Sequence, residues 1–208
     1  MTEPIASDLL QRLAVALSDQ YRVDRLLGQG GMGAVYLARD TSLDRLVALK
    51  LLPLGLAENP EAQPRFIREA RAQAMLTSPH VVQIYFIGRL PGRRGIDQLY
   101  FALELVDGES LEALLDRGER MEPERARRLA MQAAEGLRDA QHAGIIHRDV
   151  KPGNLLVDKK GILKIADFGL AKPKDPSLHL TKDHAVMGTP LYMPPEQATG
   201  DPLDHRAD

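Results

Sequence analysis

The period of the hydrophobic pattern changes once along this chain, and that change limits the folds open to it. From Tyr21 to about Glu104 the apolar residues fall in short β-type runs broken by glycine (YRVDRLL, AVYLARD, RLVALKLL, VVQIYFIG and LYFALEL), with one helix predicted from about Arg65 to Leu76. Beyond Asp107 the spacing becomes helical. SLEALLDRG reads as a short helix and Glu122 to Ala143 as a long one, with Pro123 near its start and Gly144 at its C-terminal cap. A sheet followed by helices, in chain order, predicts an α+β protein of two lobes rather than alternating βαβ layers. Ahead of the sheet, Pro4 to Gln20 carries Ile5, Leu9, Leu10, Leu13, Ala16 and Leu17 near helical spacing, which predicts a packing helix or a leader.

Composition narrows the partners. A chain of 208 residues can bury roughly 70% of its unfolded surface, enough for a sizeable core. The 27 basic and 29 acidic residues leave a net charge of -2, so no overall field would hold nucleic acid or an anionic membrane, and any phosphate must be bound by a local site. With no cysteine, disulfides and thiolate metal sites are excluded, which fits a reducing compartment. No apolar run approaches the roughly 18 residues of a membrane span, and MTEPIASDLL lacks the basic start of a signal peptide. The expectation is a cytoplasmic protein with no membrane segment in this chain, although a longer parent could be anchored beyond residue 208.

Three stretches bear on chemistry. Gly28-Gln29-Gly30-Gly31-Met32-Gly33-Ala34-Val35 lies between the first two strands. Absent side chains there let backbone N–H groups approach polyphosphate oxygens, although such a turn alone is more often a plain hairpin. A strand follows it, which argues against a dinucleotide site. Lys50 ends the apolar run Val47-Ala48-Leu49-Lys50, where a buried ammonium needs an anion. Glu69 on the predicted helix offers a carboxylate. The alternative is a snorkelling lysine and a solvated glutamate. The third stretch, His147 to Asn154 with Asp167-Phe168-Gly169 behind it, supplies a carboxylate for an attacking hydroxyl, a cation for a phosphoryl group, and two oxygen ligands suited to Mg²⁺.

Taken in order, these motifs resemble the eukaryotic-like (Hanks-type) serine/threonine protein kinases, and the wording GQGGMGAVYLARD and HRDVKPGN is most similar to the bacterial members. The resemblance runs from about Tyr21 to the last residue. It implies a leader over residues 1–20 and a kinase domain over 21–208, with an N-lobe at 21–103, a hinge at 104–107 and part of a C-lobe at 108–208. The implied fold is a two-lobed kinase fold, with an antiparallel N-lobe sheet, one regulatory helix, and an incomplete, mainly helical C-lobe. Its late helices are expected beyond Asp208.

The resemblance also implies roles. Leu27 and the loop through Gly28, Gly30, Gly31 and Gly33 would cover the phosphates of ATP. Val35, Ala48 and Leu156 would enclose adenine, Leu103 would be the gatekeeper, and Glu104 to Val106 would offer hinge hydrogen bonds. Lys50, tied to Glu69, would hold the α and β phosphates. Asp149 would be the catalytic base and Lys151 the γ-phosphate contact, with Asn154 and Asp167 holding Mg²⁺ or Mn²⁺. Lys151 and Thr189 match the serine/threonine branch.

Control and substrate choice follow from the same likeness. Arg148 before the base marks kinases switched by a phosphate in the segment Asp167 to Glu196, with Thr181 as first phosphosite and Ser177 as second. Asp183 would supply part of that charge permanently, or be a solvated loop aspartate. Gly153 stands where some relatives that prefer basic substrates carry glutamate, so no basic preference is expected. Gln73 replaces an apolar residue expected against Phe168, and Met193-Pro194-Pro195-Glu196 departs from the usual alanine-proline-glutamate. The implied partners are proteins bearing serine or threonine, and a second copy for autophosphorylation in trans. The alternative is an inactive truncated kinase or a non-catalytic nucleotide-binding scaffold.

Overall fold

The structure, a computed structural model, describes residues 3–30, 33–53, 62–91, 97–118, 120–168 and 190–208. It divides into two compact units, Met1–Ile67 with Ile84–Leu105, and Arg68–Gln83 with Val106–Asp208.

The first unit is built on an antiparallel sheet of five strands: β1 (Tyr21–Gly30), β2 (Gly33–Asp40), β3 (Arg45–Leu51), β4 (Ile84–Leu90) and β5 (Gln98–Glu104), in the order β1-β2-β3-β5-β4. Side chains alternate between the faces of a strand. The register therefore sorts the residues, with Tyr36 opposite Leu49 and Leu49 opposite Ala102, while Val35 lies opposite Lys50 and Lys50 opposite Phe101. On the first face Tyr36, Val47, Leu49, Leu51, Tyr100 and Ala102 form a core with Leu13 and Leu17 from the N-terminal helix α1 (Glu3–Ala16) and the turn after it. Tyr21 meets Tyr100 edge to face, with centroids 6.2 Å apart. Residues ahead of Tyr21 thus contribute side chains to this core. On the second face Phe101 stacks against Phe66 of helix α2 (Ala62–Ala74), with centroids 5.2 Å apart and planes within 4°.

VVQIYFIG does not form one strand. β4 begins only at Ile84, because Val81 and Val82 pair instead with Ile165 of the second unit: Val82 N–H donates to the Ile165 carbonyl at 2.9 Å, and Ile165 N–H to the His80 carbonyl at 2.9 Å. Backbone pairing with a distant partner cut the apolar run.

The second unit carries a three-stranded antiparallel sheet of β6 (Gly108–Ser110), β7 (Leu155–Asp158) and β8 (Leu163–Ile165), with helices α3 (Leu111–Asp116), α4 (Pro123–His142) and α5 (Pro195–Thr199). Ser110 caps α3 by accepting the Ala113 N–H at 3.1 Å. The α4 helix starts at Pro123 and stops before Gly144, whose φ of 72° only glycine adopts readily. Its core gathers Leu76, Val81, Leu129, Ala140, Val157, Leu163, Ile165 and Phe168. Among the described residues no helix is long and apolar enough to cross a membrane.

Candidate active site

In the first unit, Gly30 pairs with Gly33 across the tip of the β1–β2 hairpin. Gly33 has a φ of 110°, and a Cβ there would stand 1.8 Å from the Leu51 carbonyl oxygen. No other residue fits where β2 begins against the end of β3. Gly28 and Gly30 differ: nothing among the described residues lies within 4 Å of a Cβ on either, so packing against those residues does not require their missing side chains. Gly31 lies outside the described residues, and Leu27 beside this turn is exposed.

The register sets Val35, Ala48, Lys50 and Leu103 on one face of the sheet: Val35 is opposite Lys50, and Ala48 is opposite Leu103. Lys50 is buried at 7% exposure, although not without a partner. Glu104 closes β5, and Val106 begins the second stretch of the other unit.

In the second unit the sequence motif becomes a hydrogen-bonded turn. Pro152–Asn154 forms a single 3₁₀ turn after Lys151. The buried Asn154 amide donates from Nδ2 to Asp149 twice, at 2.8 Å to its carbonyl and 3.1 Å to Oδ2. The Lys151 ammonium stands 3.1 Å from the same Oδ2. Ala166 N–H donates to the Asn154 carbonyl at 2.8 Å, linking this turn to the segment that ends in Asp167. Asp149 is thus a buried carboxylate with its orientation fixed from two sides. Leu156 follows on β7, half-buried and paired with Ser110 and Lys164.

His147, fully buried, holds the turn from beneath. Its Nε2–H donates to the Ala166 carbonyl at 2.9 Å, while Nδ1 accepts the Asp149 N–H at 3.1 Å. Both ring nitrogens are used by the neutral form. Burial pushes the imidazole pKa down, against the Ala166 carbonyl and the nearby Asp208, Asp149 and Asp167 carboxylates, which favour the charged form. Its ring packs on Phe168, with centroids 4.5 Å apart. Arg148 and Asp167 have φ angles of 67° and 59°. That left-handed backbone costs an ordinary residue about 1–2 kcal/mol and is held only where surrounding contacts over-determine it.

The donor set suits Mg²⁺. With its Nδ2 committed to Asp149, Asn154 keeps Oδ1 free of hydrogen bonds among the described residues, and Asp167 adds a carboxylate in the same unit. Two hard oxygens are the small protein contribution that Mg²⁺ usually accepts alongside water and substrate phosphates. Glu69 and Gln73 lie one turn apart on α2 in this unit. Gln73 is buried at 4% exposure, with no partner for Oε1 among the described residues. Ser177, Thr181, Asp183 and Thr189 lie outside the described residues.

One residue carried no assigned role in the sequence. The Asp208 carboxylate accepts the backbone N–H groups of His147 and Arg148, at 2.5 and 2.7 Å. It is presented by a 3₁₀ turn, His205–Ala207, that Asp204 caps by accepting the Arg206 N–H at 2.9 Å. No side-chain pattern could have signalled this contact, because its partners are backbone groups that every residue but proline has.

Residues 21–208 match the family model for the protein kinase domain. The chain belongs to the protein kinase family. Helix α1 lies outside that match. This kinase domain is 41% identical over 189 residues to serine/threonine-protein kinase PknA of Mycobacterium tuberculosis, covering 91% of this chain and 44% of that protein. It is 40% identical over 192 residues to serine/threonine-protein kinase PknB of Mycobacterium leprae, covering 92% and 31%. A probable serine/threonine-protein kinase of Streptomyces coelicolor is 40% identical over 196 residues, covering 92% and 28%. The chain therefore spans less than half the length of these curated relatives. The crystal structure of the M. tuberculosis PknI kinase domain superimposes with a TM-score of 0.71 at 29% identity, covering 90% of this chain and 67% of that one. The two-lobed kinase fold and the likeness to bacterial members read from the motifs are borne out.

Proposed function

We propose that this domain transfers the γ-phosphoryl group of ATP to serine or threonine hydroxyls of proteins. The observation that carries the reading is the Asp149 carboxylate, oriented by the Asn154 amide at 3.1 Å and the Lys151 ammonium at 3.1 Å.

In this reading Asp149 accepts a hydrogen bond from the substrate hydroxyl and aims its oxygen at the γ-phosphorus. The new O–P bond forms as the bond to the β-phosphate oxygen breaks, ADP leaves, and the hydroxyl proton passes to Asp149. Lys151 stabilises charge on the transferring group. Positioning and charge stabilisation supply most of the rate in such transfers, so orientation of Asp149 matters more than its basicity. Asn154 and Asp167 would hold Mg²⁺, which supplies neutralisation of phosphate charge. Lys50, in partnership with Glu69, would bind the α and β phosphates, with backbone from Gly28 to Gly33 over them. Val35, Ala48 and Leu156 would enclose adenine, next to Leu103 and the hinge backbone of Glu104 to Val106.

Arg148, Thr181 and Ser177 belong to the same reading, as the receiver and donors of an activating phosphate placed by autophosphorylation between two copies. Thr189 belongs to it as a mark of serine/threonine acceptors. ATP as co-substrate assigns the domain to the cytoplasm.

The test incubates the protein with Mg-ATP and a generic protein substrate, with Asp149→Asn as blank. Transfer should exceed the blank by at least about 10²-fold. Transfer equal to the blank would overturn the reading, and nucleotide binding without transfer would favour a scaffold.

A further inference from the structure

Helix α1 shapes a cavity as well as a core. Within the first unit a cavity of about 350 Å³ lies between Leu9, Leu13 and Ala16 of α1, Leu90 and Pro91 at the end of β4, and Gln98 at the start of β5. Leu90 and Gln98 face each other across β4 and β5, and β4 is an edge strand, so one wall is a helix and the other a sheet edge. Leu13 packs with Tyr36 and Leu49, on the face opposite the one that carries Val35, Ala48 and Lys50. The cavity is therefore separate from the candidate active site, and its helical wall comes from residues ahead of the 21–208 match.

The lining is apolar below and polar at the rim. Leu13 and Leu90 are 1% and 7% exposed and belong to the core, whereas Gln11 and Arg12, which also line the cavity, are exposed on α1. The Gln98 amide is held in place, its Nε2 donating to the Leu52 carbonyl at 2.6 Å. Among the described residues of the lining, Arg12 is the charged one. An apolar floor with a few polar groups at set places is the common form of a small-molecule site. A guanidinium at the rim selects an anion, and its fork of donors matches a carboxylate through two parallel hydrogen bonds. Volume sets the size: at ~30 Å³ for each water-sized group, the cavity takes roughly a dozen non-hydrogen atoms.

We propose that this cavity binds a small amphipathic carboxylate, a fatty acid of about eight to ten carbons or an acid of similar shape. Its chain lies against Leu13 and Leu90, where burial of apolar surface drives binding, and its carboxylate sits on Arg12.

The test titrates the full-length gene product with octanoate by calorimetry, with hexanoate and octylamine in parallel. Octanoate should bind saturably with a Kd of about 1 mM or tighter, which is ordinary for a ligand of this size. Hexanoate, two methylenes shorter, should bind at least about fivefold more weakly, and octylamine, with the opposite charge, should not compete. Arg12→Glu and Pro91→Asp alter opposite walls at exposed positions, so neither disturbs the core. Each should weaken octanoate binding by about fivefold or more, and Arg12→Glu should turn the preference toward octylamine. No saturable octanoate binding, octylamine binding as tight as octanoate, or octanoate binding that either variant leaves unchanged would overturn the proposal. Binding is read without phosphotransfer, so the outcome is distinct from that of the kinase test.

Discussion

The Asp208 carboxylate holds two consecutive backbone N–H groups, of His147 at 2.5 Å and of Arg148 at 2.7 Å. It thereby fixes the entry to the turn that carries Asp149, at a point where Arg148 sits in left-handed backbone with a φ of 67°. Asp208→Ala leaves both donors without that acceptor. A lost charge-assisted hydrogen bond costs about 1.5–3 kcal/mol, so the melting temperature should fall and phosphotransfer should fall with it. Calorimetry and a kinase assay on the same preparation check both. Unchanged activity would mean the turn is held without Asp208.

Gln73 places a polar oxygen where its surroundings offer no donor among the described residues. Gln73→Leu, close in volume, should raise stability by about 1–3 kcal/mol, the cost of an unsatisfied buried polar group. A chemical denaturation midpoint measures this. A lower midpoint would show that the oxygen is bonded in solution.

Gly33 and Gly28 sit on opposite strands of the same β1–β2 hairpin but answer to different constraints. Gly33→Ala forces a Cβ to within 1.8 Å of the Leu51 carbonyl at a φ of 110°, and should cost more than about 2 kcal/mol by strain and lost β2–β3 pairing. Gly28→Ala meets nothing within 4 Å among the described residues, so its stability should change by under about 0.5 kcal/mol, while its effect is read in the affinity for ATP. Equal destabilisation by both would refute the distinction.

Leu13 is 1% exposed in the core it shares with Tyr36, Leu49 and Tyr100. Leu13→Ala should cost about 2–5 kcal/mol, although the residue precedes the segment that matches the family. An effect near zero in denaturant titration would mean that α1 leaves the sheet in solution.

Two buried groups set opposite pH limits. His147 has its pKa held below the ordinary 6.5 by burial, so the unfolded chain takes up a proton first and stability should decline as pH falls below about 6.5. Tyr100 is pushed up from 10.0 to about 12, chiefly by burial and then by Tyr21. Between those values the unfolded chain loses its proton while the folded chain keeps it, so stability should decline as pH rises. Denaturation midpoints across pH 5 to 12 test both limbs, and Tyr100→Phe should flatten the alkaline one.

Much of the site was legible because its chemistry is local. Asp149, Lys151 and Asn154 lie within six residues, so the motif that named them also brought their side chains together. The alternation in β2 and β3 likewise assigned Val35, Ala48 and Lys50 to one face, since strand geometry repeats every two residues.

Tertiary structure decided what depends on residues far apart. It divided VVQIYFIG, because the Ile165 backbone claimed Val81 and Val82. It gave α1 a core, because the apolar face left by Tyr36, Leu49 and Tyr100 needed covering. It also put the Glu112 carboxylate beside Gly153, because α3 brings it there from 41 positions earlier in the chain. And it gave Asp208 its role, because an acceptor for backbone N–H groups is defined by their direction and not by any neighbouring side chain. Sequence fixes which groups can do chemistry. Long-range pairing and packing fix which of them meet, since both depend on contacts between segments whose spacing along the chain carries no trace of their distance in the fold.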